Sequence, residues 1–313
     1  MPVQERLSEF TRLHDLQDIE WSGPIPQLPS PSWWASDNTL IRGDSKEHGR
    51  VIAKVMSRHA WSWRNRHSMM QAAVAAGENG VGPKVHAYDQ EIGIVLVEDL
   101  ADDWRVVRLD YYADPEFRSN LLSTRRAFAA LDLNLAPRSP IAELTQLEEE
   151  CRDRGIVLDP RVTTAVEQLL RFKEALLDYR KSVEFRPSQG EATSSNLMVH
   201  RDGRVKIVGW GSAAQLSRVH DTALLVSEAC PTVLNSEALI REIIPECTAK
   251  DIAVVQIISL IEHLRWSLLA SLRAATDPDE NLDSIKYGLW RMTLAEIALA
   301  DRHFMTELEK ELS

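Results

Sequence analysis

Residues 189–211 constrain this chain more than any other stretch. Glu191 stands five positions before Asn196, and two short apolar runs, 197–199 and 205–208, follow on either side of Arg201-Asp202-Gly203-Arg204. The second run ends on Gly209-Trp210-Gly211. Short apolar runs flanking an Asp-Gly turn form a tight hairpin. The acid and the amide are therefore carried together on one short polar loop that leads into that hairpin.

Such a loop suits one kind of chemistry. Phosphoryl transfer needs a nucleophile oriented by an acidic side chain, and cations that neutralise charge on the moving group. Glu191 can face an acceptor hydroxyl and Asn196 a metal ion. The stretch resembles a kinase catalytic loop and metal-binding strand. With its surroundings it resembles the choline/ethanolamine kinase and aminoglycoside phosphotransferase family, whose pattern runs His-x-Asp-x-x-x-x-Asn, then a strand ending Asp-Trp, then an Asp ahead of an apolar helix. This chain places Gln189, Glu191 and Asn196 on the first element, Gly209-Trp210 on the second, and Asp221 before Leu224-Leu225-Val226 on the third.

The resemblance extends over residues 36 to 300. Val51-Ile52-Ala53-Lys54-Val55 is similar to the strand carrying the ATP-phosphate lysine, and Asn65-Arg66 and Gly80-Val81-Gly82-Pro83-Lys84-Val85 to the next helix and its exit. Asn38 stands in the nucleotide loop, which carries no glycine, and Glu98 at the hinge. Trp266, Tyr287 and Trp290 resemble the aromatic cage that holds a quaternary ammonium, with Leu269 at its second Trp position. The resemblance implies an α+β, bilobal protein-kinase-like fold, with a small antiparallel-sheet lobe over 1–99 and a larger, mainly helical lobe over 100–313. Its cofactors would be ATP and Mg²⁺ if the protein is active, and none if it is not.

The departures fall on the chemistry. Glu191 reaches one methylene further than Asp, enough to misplace an attack geometry. Gly209 offers no oxygen to Mg²⁺, which prefers hard oxygen ligands, and Met69 stands where the glutamate partner of the strand lysine belongs. The leading expectation is a degenerate family member with impaired or absent phosphotransfer, acting on a small-molecule ligand or a protein partner. The alternative is an active small-molecule kinase with Glu191 as base, Asn196 on the metal and Lys54 on the phosphates, taking a cationic or amino-alcohol acceptor. Altered nucleotide chemistry on the same scaffold is a third possibility. Each residue also has a plainer reading: Lys54 as an edge or snorkelling lysine, Asn196 as a loop cap, Met69 and the aromatics as packing, and Asp37 as solvated at a turn rather than beside phosphates. Asp221 is expected buried and hydrogen-bonded, bracing the loop. Gly209→Asp is expected to return a metal ligand.

At 313 residues, 44% hydrophobic and 27% charged, the chain can bury the core of a two-lobed globular protein. A net charge of −11 with no Lys/Arg run argues against nucleic acid as a partner. Cys151, Cys230 and Cys247 lack metal-ligand spacing and read as free thiols, the N-terminal stretch has no apolar targeting segment, and no run is expected to span a membrane; a cytoplasmic location follows. Arg42-Gly43-Asp44 is explained by a hairpin turn, and Arg58-His59 with His67 lacks a third metal ligand. The pattern predicts helices over 4–20, 62–79, 249–275 and 282–311, and strands over 36–42, 50–56 and 92–98, with a turn at 43–49. Pro24, Pro26, Pro29 and Pro31 enforce an extended segment, and Pro137, Pro140 and Pro160 break the helical half.

Overall fold

Five N-terminal strands pair antiparallel in the order β1-β2-β3-β5-β4: β1 Glu20–Pro24, β2 Asn38–Ser45, β3 Gly49–Met56, β4 Val85–Asp89 and β5 Ile94–Glu98. The structure, a computed structural model, describes residues 2–26, 37–58, 65–100, 102–230, 232–276 and 283–313. Pro29, Pro31, Ala35, Ser36 and His59 lie outside these, as do the first residues of the helix expected from 62. Side chains alternate across a strand, and the sheet uses both faces. Val51, Ala53 and Val55 of β3 pack with Ile41, Ile94 and Leu96 against Phe10 of α1 (Val3–Leu13). Ile52 lies on the other face with Val95 and Val97, against Met70 of α2 (Arg66–Glu78). Lys54, two residues on, shares that second face.

β6 (Trp104–Val106) joins β8 (Leu197–His200) and β9 (Val205–Ile207), and β7 (Phe185–Ser188) pairs antiparallel with β10 (Ala214–Ser217). Helices supply the rest: α3 Pro115–Ala129, α4 Pro140–Asp153, α5 Pro160–Leu170, α6 Lys173–Lys181, α7 Arg218–Ala229, α8 Glu237–Ile243, α9 Ala249–Thr276, α10 Ser284–Leu299 and α11 Arg302–Leu312. The α+β class is as expected, with an antiparallel sheet in the N-terminal region and helices dominating the C-terminal one.

Several local expectations change. Pro140 and Pro160 open helices rather than break them, because a missing N–H costs nothing in the first turn. The N-terminal helix stops at Leu13, and β2 runs through Gly43, leaving only 46–48 as the turn. The helix expected over 282–311 is two, broken at Ala300-Asp301, where the Asp301 carboxylate accepts from the Phe304 N–H at 3.0 Å and starts α11. The short strands β1, β4, β6, β7 and β10, each three to five residues, carry no period the sequence could reveal. α9 is 28 residues long and, with an 18-residue window of mean hydropathy 1.5, is long and apolar enough to cross a membrane. Its apolar window is 94% buried within the protein, against α4, α7 and α10 among others, so α9 is the core helix of the C-terminal region.

Candidate functional site

The loop between β7 and β8 meets the segment between β9 and β10 at Gly190. Its φ is +74°, and a Cβ there would lie 1.7 Å from the Ser212 carbonyl oxygen, so glycine alone allows the contact. That approach brings the Ser212 hydroxyl onto Glu191, to whose Oε1 it donates, while Asn196 Nδ2 donates to Oε2 at 2.7 Å. Glu191 is buried, and both its carboxylate oxygens accept from the chain's own groups.

Gly209 faces the same amide. A Cβ on Gly209 would sit 2.2 Å from Asn196 Cγ and 2.3 Å from Oδ1. Asn196 therefore fills the space a side chain at 209 would need. The donor set for Mg²⁺ reduces to Glu191, both of whose carboxylate oxygens accept hydrogen bonds, and the Asn196 Oδ1, since Asn196 meets Glu191 through its Nδ2; no group of three His, Cys, Asp or Glu side chains converges among the described residues. Gly209 adds no oxygen, so the site offers a magnesium ion one carboxylate and one amide oxygen.

Lys54 reaches across the cleft, its Nζ donating to the Val208 carbonyl. No carboxylate pairs with it among the described residues, and Met69 lines the cleft beside it. Burial without a counter-charge lowers its pKa from 10.5 to about 8. The unfolded chain therefore binds the proton more tightly, so the cost of the buried ammonium is complete below pH 8 and relieved as pH rises to 10.5. Replacing Lys54 by Met is expected to raise stability at pH 7 by about 1–3 kcal/mol and to flatten the stability profile across that window, measured by urea denaturation at several pH values.

Asp221 braces the loop, but half-buried rather than buried. It accepts from Arg125 Nη2 at 2.7 Å and from the Ser188 hydroxyl, while Arg125 also donates to the Glu191 carbonyl at 3.1 Å and Gln189 Nε2 donates to the Gly209 carbonyl at 2.9 Å. Trp210 is buried against Phe128, ring centroids 4.4 Å apart. Beneath the loop lies a cluster of four charges. Arg138 contacts Glu143 at 2.7 Å and Glu262 at 3.1 Å, Arg265 contacts the same two at 3.0 and 2.9 Å, and Arg138 donates to the Gly190 carbonyl at 2.6 Å.

The C-terminal aromatics gather as expected but are occupied. Trp266 and Tyr287 are buried edge to face, 5.9 Å between centroids, with Trp290 6.1 Å beyond Tyr287. The Arg265 guanidinium lies 5.1 Å from the Trp266 ring centre, and that of Arg291 5.8 Å from Trp290 and 6.0 Å from Tyr287. Arg291 is held at 3.2 Å by Glu228, which also accepts the Ser194 N–H at 2.8 Å. Leu269 packs in the core. The chain's own cations thus take the aromatic faces that an ammonium would use.

A cavity of about 320 Å³ between the sheet and the helical region brings Asn38, Lys54, Glu191, Asn196, Trp210 and Trp266 together, closed by Met69, Met70, Val95 and Val97. Glu98, Asp221, Tyr287 and Trp290 do not line it. Glu98 instead accepts the Lys84 N–H at 3.2 Å and lies 3.6 Å from Lys206. Asp37 is neither solvated nor unpaired: it is buried against Arg273 of α9 at 3.3 Å. Sequence reasoning missed Ser212, Arg125, Arg138, Glu143, Glu262 and Arg291. Glu262 and Arg265, three apart inside an apolar helix, were the available signal, since charges in such a run are buried only when paired.

No protein-family model matches the sequence, and no curated protein matches it. Solved structures do match by shape. A choline/ethanolamine kinase family protein from Mesorhizobium loti is similar with a TM-score of 0.75 and 16% identity, over 100% of this chain and 99% of that one. The choline kinase LicA from Streptococcus pneumoniae, also solved in complex with AMP, matches with a TM-score of 0.68 and 15% identity over 96% of this chain and 99% of that one. The GDP complex of aminoglycoside 2'-phosphotransferase-IIIa matches with a TM-score of 0.59 and 11% identity over 95% and 99%. At these identities the likeness is one of fold, and this chain has the kinase-like fold shared by the choline/ethanolamine kinase and aminoglycoside phosphotransferase structures.

Proposed function

We propose that this chain binds a small molecule with a flat, apolar body in the cleft between a nucleotide-lobe-like region, 1–99, and a helical region, 100–313, with ATP-dependent phosphotransfer impaired or absent. The observation that carries this reading lies at Glu191 and Gly209: both oxygens of the acid are hydrogen-bonded by the chain itself, and Asn196 fills the space that a carboxylate side chain at 209 would take. The apolar walls at Val95, Val97 and Met70 suit a heterocycle, and the AMP and GDP found in structures of this fold make a nucleoside the first ligand to try. Three free thiols, two of them buried, accord with a cytoplasmic setting.

A second reading keeps activity, because Lys54, Glu191 and Asn196 still line one cavity. Glu191 would then act as base after shedding Ser212. A phosphotransfer assay with Mg²⁺-ATP and choline, ethanolamine or an aminoglycoside separates the two. The impaired reading expects no product above that of a Glu191→Ala variant; turnover that disappears in that variant establishes the second. Choline at millimolar concentration is also expected to leave the melting temperature unchanged, since Arg265 and Arg291 hold the aromatic faces. A saturable rise would show that the guanidinium groups yield.

A further inference from the structure

We propose that Lys54 is a nucleophilic amine, and that the cleft is a site for imine formation with aromatic aldehydes small enough for the 320 Å³ cavity. This does not depend on whether phosphotransfer survives. Lys54 projects from the cavity face of β3 and its Nζ contacts a neutral acceptor, the Val208 carbonyl, so no anion among the described residues holds it as ammonium. The two carboxylates that line the cavity with it are engaged elsewhere, Asp37 by Arg273 and Glu191 by Asn196 and Ser212. Much of the remaining wall is apolar, with Met56, Met69, Met70, Val95 and Val97 in it, and Met69 stands where the family resemblance places the glutamate partner of the lysine.

A desolvated lysine of this kind is the side chain that forms Schiff bases. Its lowered pKa, about 8, leaves about a tenth of the amine unprotonated at neutral pH, several hundred times the share of an ordinary lysine. The nitrogen lone pair attacks the carbonyl carbon and the C=O π electrons move to oxygen, which takes a proton. The carbinolamine then loses water as the N–H proton departs, forming C=N and breaking C–O. No electrons are gained or lost overall, and the apolar wall slows the return of water.

The test treats the full-length protein at pH 7.5 with equimolar 2-hydroxybenzaldehyde, traps imines with cyanoborohydride and locates the adducts by peptide mass spectrometry. Lys54 is expected to carry at least about ten times the adduct found at exposed Lys46, Lys250 and Lys310, with a labelling midpoint near pH 8 and loss of the selectivity in urea. A Lys54→Arg variant should lose that adduct and keep the labelling of the exposed lysines. Labelling of Lys54 no greater than theirs, in protein of unchanged melting temperature, overturns the proposal. Tight Mg²⁺-ATP binding would refute the impaired-kinase reading alone, so the two failures are distinguishable.

Discussion

Gly209→Asp is expected to destabilise the protein by about 2–4 kcal/mol and to create no magnesium site, although on sequence grounds it restores a missing ligand. The Cβ alone would overlap the Asn196 amide at 2.2–2.6 Å, and that amide is anchored on Glu191 at 2.7 Å rather than free to swing. Relief requires breaking the Asn196–Glu191 hydrogen bond or moving the β9–β10 segment, which Gly190 pins against Ser212. Asn196→Gly should therefore rescue much of the loss. A double-mutant cycle on urea midpoints should give a coupling of about 1–3 kcal/mol between the two positions. Additive effects would mean that Asn196 does not fill the space.

Removal of one member of the buried charge cluster has the largest expected effect. Glu262→Ala leaves Arg138 and Arg265 to share Glu143, and an uncompensated buried charge costs about 3–5 kcal/mol. The loss should also loosen the loop above, because Arg138 carries the Gly190 carbonyl; hydrogen exchange at 189–196 should rise more than elsewhere. The exposed Lys181–Asp178 pair at 2.8 Å, removed as a control, should leave the urea midpoint essentially unchanged. Equal losses at the two sites would contradict the cluster's assigned role.

The sequence makes the scaffold legible through order and spacing. Lys54 in an apolar strand, the 189–211 loop and hairpin, and Asp221 before an apolar helix locate one cleft, and the structure brings Lys54, Glu191 and Asn196 to it. Its occupancy could not be read. That Asn196 fills the space beside Gly209 depends on a backbone separation set by Gly190 and Ser212, more than twenty positions apart, which no local pattern encodes. Nor does the pairing of Asp37 with Arg273 follow from either neighbourhood, since the partners come from β2's approach and the last turn of α9. Short strands such as β6 and β7 form because partners are in place, not through propensity of their own. The aromatics were legible as a cluster, whereas the guanidinium groups over them were not: Glu262 and Arg265 signal a buried pair but not which ring the arginine faces, and Arg291 reads as an ordinary helix-surface charge until burial is known.

Titration of the native protein with ATP by isothermal calorimetry, with and without Mg²⁺, tests the central claim most directly. With both Glu191 oxygens hydrogen-bonded by the chain and Gly209 bare, magnesium should leave ATP affinity unchanged within about threefold, any binding coming from the apolar wall and Lys54. Low-micromolar ATP affinity that appears only with Mg²⁺ would contradict the account, since one engaged carboxylate and one amide oxygen would then suffice for a metal site.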